Sequence, residues 1–165
     1  MQITFQHLPE NTAQMQQTPQ WALTTPWDGA ALFVAALCTY RTDPKEACRM
    51  ISALRGPGGP MSGMDVEFLR DRMAGKAEYL GTAYFQGATP ENGYLPNFPY
   101  TVELSENPYS YENENIARIF LHTAGVDSPR PIEMRCKPSE GRWYLYRYEA
   151  VLTDLRKPTA KDPWA

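Results

Sequence analysis

The chain is poor in the residues that most enzymatic and metal chemistry needs. Among 165 residues there are two histidines, His7 and His122, and three cysteines. No C-x-x-C pair exists, and Cys38, Cys48 and Cys136 lie far apart, so the spacing fits reduced core thiols and no disulfide framework. No cluster of His, Cys, Asp and Glu occurs at a ligand spacing, which gives no reason to expect a metal. A Gly-x-Ser-x-Gly elbow is also missing. Gly56-Pro-Gly-Gly-Pro60 has the glycines of a phosphate loop but not its Gly-Lys-Ser/Thr ending, and its prolines remove N–H donors. A basic excess is absent too: net charge is −3, so nucleic acid is not the expected partner. The start, MQITFQHLPE, has neither a cationic nor an apolar signal region. The longest apolar run, Ala30 to Cys38, is far below the ~20 residues of a membrane span. A cytoplasmic protein is expected, with no membrane contact and no cofactor.

What is present is a core-forming chain, 42% hydrophobic, punctuated by 15 prolines. Its length suits one core. Residues 1–26 are weakly patterned, and Asn11 to Gln20 is rich in Gln without an apolar face. That predicts an extended or partly disordered arm, followed by a single domain over 27–165 with an extended tail. Three helices follow. The first is expected to be capped by Asp28, with Ala30, Phe33, Val34, Leu37 and Cys38 on one stripe. The second is bounded by Asp43-Pro44 with Glu46 in a capping box, and stops at Gly56-Pro57. The third starts at Ser62 and turns Val66, Leu69 and Met73 inward.

The period then shifts to two. Tyr79–Phe85, Tyr100–Ser105, Ala117–His122, Ile132–Lys137 and Trp143–Val151 are predicted strands, the last being the longest. Helices followed by strands give an α+β fold, with three helices packed on a mainly antiparallel sheet of about five strands. A cone of the nuclear-transport-factor-2-like kind is one closure by analogy alone.

Two loops concentrate aromatic, proline and asparagine residues: Gly87–Tyr100 and Glu106–Asn115. Their aromatics either fold down as a lid on the core, the simpler reading, or stay exposed as contact groups. On the second reading Tyr94, Phe98, Tyr100, Tyr109 and Tyr111 are the contact residues of a surface made by both loops. Asp127 and Arg130 flank a Ser-Pro turn and could pair. Arg156 should bind a carboxylate or backbone carbonyls. This group either holds the loops or recognises an anion. In Arg142–Tyr148 three tyrosines share one face, which fits sheet packing better than base stacking. His122 reads as structural.

The segments YFQGATPENGY (Tyr84–Tyr94), DSPRPI (Asp127–Ile132), LTDLR (Leu152–Arg156) and DPWA (Asp162–Ala165) resemble an uncharacterised family of bacterial domains of unknown function. The resemblance covers roughly Trp27 to the C-terminus. It implies a bacterial, cytoplasmic setting and transfers no catalytic residue. The expectation is therefore a non-enzymatic binding module, with a protein partner or a second copy as its target. A small-molecule pocket protein, or an enzyme of cone-like fold, is the alternative.

Overall fold

A computed structural model describes residues 1–165. The element order is β1 (Gln2–Phe5), α1 (Thr12–Gln16), α2 (Pro26–Tyr40), α3 (Pro44–Arg55), α4 (Gly63–Met73), then β2 (Tyr100–Ser105), β3 (Ile116–Leu121), β4 (Arg130–Lys137) and β5 (Arg142–Arg147). The five strands form one antiparallel sheet in the order β1-β2-β3-β4-β5. This is the expected α+β class. No helix is long and apolar enough to cross a membrane.

α2 organises the molecule. Every residue from Gly29 to Leu37 is buried, so the helix is apolar all round rather than along one stripe. Such a helix must be surrounded. α3 covers one flank, and the sheet curls around the rest, bringing β1, β3, β4 and β5 against it. Its start also differs from expectation. Thr25 is the N-cap and Pro26 the first helical residue, which suits a ring that has no N–H to lose. Asp28 sits inside the first turn, where its carboxylate accepts from the Thr25 hydroxyl at 3.0 Å.

Residues 1–26 are not an arm. β1 pairs with β2 from Gln2–Glu103 to Phe5–Tyr100, and Met15 and Leu23 are fully buried. The polar spacing of Asn11–Gln20 hid one deep anchor, Met15. Glu46 explains part of the docking. Asp43 caps α3 as expected, accepting from the Glu46 N–H at 3.1 Å. The Glu46 carboxylate does not close the box; it accepts the Thr12 N–H at 2.7 Å and so ties α1 to α3. Ser62 and Asp65 do form a full capping box on α4. Leu69 and Met73 are buried there, whereas Val66 points outward.

Two of the expected strands differ in the structure. Tyr79–Phe85 is a chain of turns with a 3-10 segment at Thr82–Tyr84, and it meets the sheet by a single bridge, Phe85 to Val102. β5 stops at Arg147 and passes into a 3-10 turn at Glu149–Leu152. A register shift opposite Glu133/Met134 breaks its alternation at Tyr146; before it Leu145 faces the core and Tyr144 is covered by the Gly56 turn, so both are buried. Tyr148 leaves the sheet and packs on Phe33, ring centroids 4.9 Å apart. The three tyrosines therefore do not share one face. The cysteines are free and half-buried rather than fully buried; burial of the Cys38 thiol pushes it up to about 12.

Candidate functional site

The proline-rich loop between Gly87 and Tyr100 is braced from within by hydrogen bonds. Its frame is Asn92, whose side-chain oxygen accepts the Thr89 and Leu95 N–H groups at 2.9 and 3.0 Å. The Asn92 amide donates in turn to the Gly87 and Leu95 carbonyls at 2.8 and 3.2 Å. Backbone bonds from Gln86 to Thr101 and from Asn97 to Gln86 join the loop to β2. A single asparagine thus satisfies both strands of the turn, which is the chemistry Asn brings to loops.

This frame sorts the aromatics into opposite environments. Tyr94 is 1% exposed, stacked on Tyr79 with centroids 5.3 Å apart, and its hydroxyl donates to the Arg156 carbonyl at 2.5 Å. Burial pushes its phenol up to about 12. Tyr94 is therefore a lid anchor and not a contact group. Leu95 and Phe98 are each 69% exposed. Phe98 stands edge-on to the half-buried Tyr100, at 5.9 Å, and Tyr100 in turn leans on Phe85. Phe98 and Tyr100 form one wall of an open groove of about 900 Å³, whose other wall is the N-terminal segment between Gln6 and Pro19. That second wall is not legible in the sequence, because its residues carry no periodic signal.

The second loop does not join the first. Tyr111 meets Trp143 edge-on at 6.4 Å, near the start of β5, and its hydroxyl donates to Glu106 at 2.9 Å. Burial and this carboxylate raise the Tyr111 phenol to about 12. Tyr109 is exposed. Since Ser105 at the far end of β2 pairs with Phe120, and the second loop returns to Arg118, the strands separate the two aromatic groups by roughly 20 Å. The expectation of one surface built from both loops is corrected on this point.

Asp127 and Arg130 are not paired with each other. Asp127 pairs with Arg156, which also donates to the Ala124 carbonyl at 3.2 Å. Arg130 reaches Thr153 and donates to the Asp154 carbonyl at 2.8 Å. Lys76 pairs with Asp154, and the Tyr84 hydroxyl donates to Val151 at 2.6 Å. These groups hold the segment 151–156 against the core, and Asp127, Arg130, Asp154 and Arg156 also line an open, polar hollow of about 520 Å³. His122 shares a 2.7 Å hydrogen bond with Ser105. No three His, Cys, Asp or Glu side chains converge.

One hollow was not foreseen. The turn at Gly56–Gly58 and the β4–β5 hairpin enclose about 510 Å³, lined by Arg55, Arg135, Lys137, Tyr144 and Tyr146 among others. Only the tyrosine-rich run on β5 signalled it.

Together these features define an α+β domain with an apolar helix wrapped by an antiparallel meander and a braced apolar loop at its edge. The family model described as Domain of unknown function (DUF6935) matches residues 7–159, and the chain belongs to that family. No curated protein and no solved structure matches it.

Proposed function

We infer that this chain is a non-catalytic binding module that captures a protein partner on the edge formed by Leu95, Phe98 and Tyr100. The observation that carries the reading is the display of two large apolar side chains on a loop that cannot fold them away. Asn92 and Tyr94 hold the backbone ahead of Leu95, and the Asn97 N–H, bonded to the Gln86 carbonyl at 2.9 Å, holds it just ahead of Phe98. A flexible loop would hide Leu95 and Phe98 at little cost; a fixed one keeps them in water. Preorganised apolar groups lower the entropy lost on association, and exposed apolar clusters mark interaction sites. The groove beside Phe98 offers room for an extended segment of the partner. Three free thiols support a reducing, cytoplasmic setting, in keeping with the bacterial reading of the sequence.

The test is affinity capture from host lysate with wild type and a Leu95→Ser/Phe98→Ser variant, followed by pairwise titration of the purified candidate. A weakening of about tenfold or more in the purified pair supports the reading. Equal affinity of both forms for every captured protein sinks it. Sedimentation velocity on the free protein distinguishes a second copy from a foreign partner.

A further inference from the structure

The hairpin hollow carries an inference independent of the loop. Its volume, about 510 Å³, falls in the range of small-ligand pockets. No carboxylate lines it, while Arg55, Arg135 and Lys137 do. Arg55 and Lys137 are already engaged, with Asp65 at 3.2 Å and Glu140 at 2.9 Å. Arg135 makes no ion pair; its guanidinium lies over the Tyr146 ring at 5.6 Å. Arg147 approaches the same ring at 5.1 Å, and Arg142 lies over Tyr144 at 5.3 Å. Neither lines the hollow: Arg142 donates to the Trp21 carbonyl at 2.9 Å, and Arg147 stands opposite Glu133 across the β4–β5 pair.

The charge is local. Arg55, Arg135 and Lys137 line the hollow and no carboxylate does, inside a chain whose total is −3. Cations gathered against the chain's overall sign create a focused positive potential. The aromatic wall is fixed as well. Tyr144 donates to Glu140 at 2.9 Å, and its ring packs so closely on Gly56 that a Cβ there would overlap it. A guanidinium fork free of carboxylates recognises phosphate or carboxylate oxygens, and an ordered tyrosine beside it accepts a flat ring.

We propose that the hollow between the Gly56–Gly58 turn and the β4–β5 hairpin binds a small organic anion that joins a planar ring to a phosphate or carboxylate group, with Arg135 taking the anion and Tyr144 and Tyr146 the ring. The turn bounds the hollow on one side, and the acidic chain as a whole disfavours a long polyanion, so the ligand is a single small molecule.

The experiment is a backbone-amide NMR titration of the full chain with adenosine monophosphate, benzoate, adenosine and inorganic phosphate. At least one of the two ring-bearing anions is expected to give saturable shifts confined to the 56–58 turn and residues 135–146. Adenosine and inorganic phosphate should bind about tenfold more weakly or not at all. Preference for the nucleotide over benzoate assigns the anion as phosphate; the reverse assigns it as carboxylate. Arg135→Gln, on an exposed side chain, should weaken binding about tenfold with an unchanged melting temperature. Gly58→Trp is the second variant: Gly58 lines the hollow and a Cβ there meets nothing within 4 Å, so the rim accepts a bulky side chain without displacing backbone. It should abolish binding. Leu95→Ser/Phe98→Ser should bind like wild type, so that failure of the loop reading and failure of this one stay distinct. The proposal is overturned by no saturable binding of either ring-bearing anion, by unchanged affinity in Arg135→Gln and Gly58→Trp, by loss in the loop variant, or by a short oligothymidylate binding about a hundredfold tighter than the mononucleotide.

Discussion

Tyr94 and Phe98 belong to one loop and lie four positions apart, yet one is 1% and the other 69% exposed. Both are aromatic, and both sit among prolines and asparagines. The difference arises from backbone geometry and from one hydrogen-bond partner. Tyr94 takes a positive φ of 58°, which turns its side chain into the core, where the Arg156 carbonyl accepts its hydroxyl. Phe98 has no polar atom to satisfy and rests on Tyr100 at the rim. One loop thus contains an anchor and a display, and the anchor is what braces the display. A smaller pair in the Gly56–Gly58 turn repeats the pattern. Gly56 lies against the Tyr144 ring, whereas Gly58, two residues on, faces open space.

The largest expected effect comes from breaking the anchor. Tyr94→Ala should cost about 3–5 kcal/mol in urea unfolding, the range for emptying a large aromatic site. A cost below about 1 kcal/mol would show that the loop is only laid over the core. Gly56→Ala follows, at about 1–3 kcal/mol, because φ of 48° with ψ of −120° is a glycine conformation and the new methyl collides with Tyr144. Gly58→Ala should change stability by less than about 0.5 kcal/mol, and equal costs at the two glycines would dissolve that comparison. Tyr94→Phe isolates the hydroxyl, at about 1 kcal/mol. The same variant carries a pH signature. The Tyr94 phenol has its ordinary value of 10.0 in the unfolded chain and about 12 in the fold, because burial disfavours the phenolate. The stability it lends is complete below pH 10 and is lost as pH rises through about 12. Wild type should therefore lose stability across that window more steeply than Tyr94→Phe, measured by urea midpoints. Parallel curves would remove Tyr94 from the account.

The sequence allowed the α+β class, α3, α4 and the cores of β2, β3 and β4 to be read in advance, since caps and period-two runs are local signals. It did not disclose how apolar residues on every side of α2 would be used. Nor did it separate Tyr94 from Phe98, because the sorting depends on a carbonyl 62 residues away. Met15 was invisible for the same reason: a single apolar residue in a polar stretch has no period. Tyr79–Phe85 looked like a strand by composition, but its Tyr79, Leu80, Ala83, Tyr84 and Phe85 N–H groups are taken by turn bonds. Of the candidate site residues, exposure at Phe98 and Tyr109 and half-burial at Tyr100 leave them reachable by a partner, while Asp127 and Arg130 hold the segment 151–156. Arg135 escaped notice because a cation gains meaning only from the absence of a neighbouring acid, and that absence is spatial.

The smallest expected effect tests the display directly. Leu95→Ser and Phe98→Ser together remove two large apolar side chains, yet both are mostly in water, so little transfer energy is at stake. The loop's frame lies elsewhere, in the Asn92 amide and the Tyr94 hydroxyl. The double variant should therefore unfold within about 0.5 kcal/mol of wild type, or be slightly more soluble. The two halves of the loop then separate cleanly: changes at Tyr94 unfold the protein, while changes at Leu95 and Phe98 leave it folded and alter only what it binds. A loss of about 2 kcal/mol or more in the double variant would mean that these side chains support the fold of the free chain, and the loop would return to being a lid along its whole length.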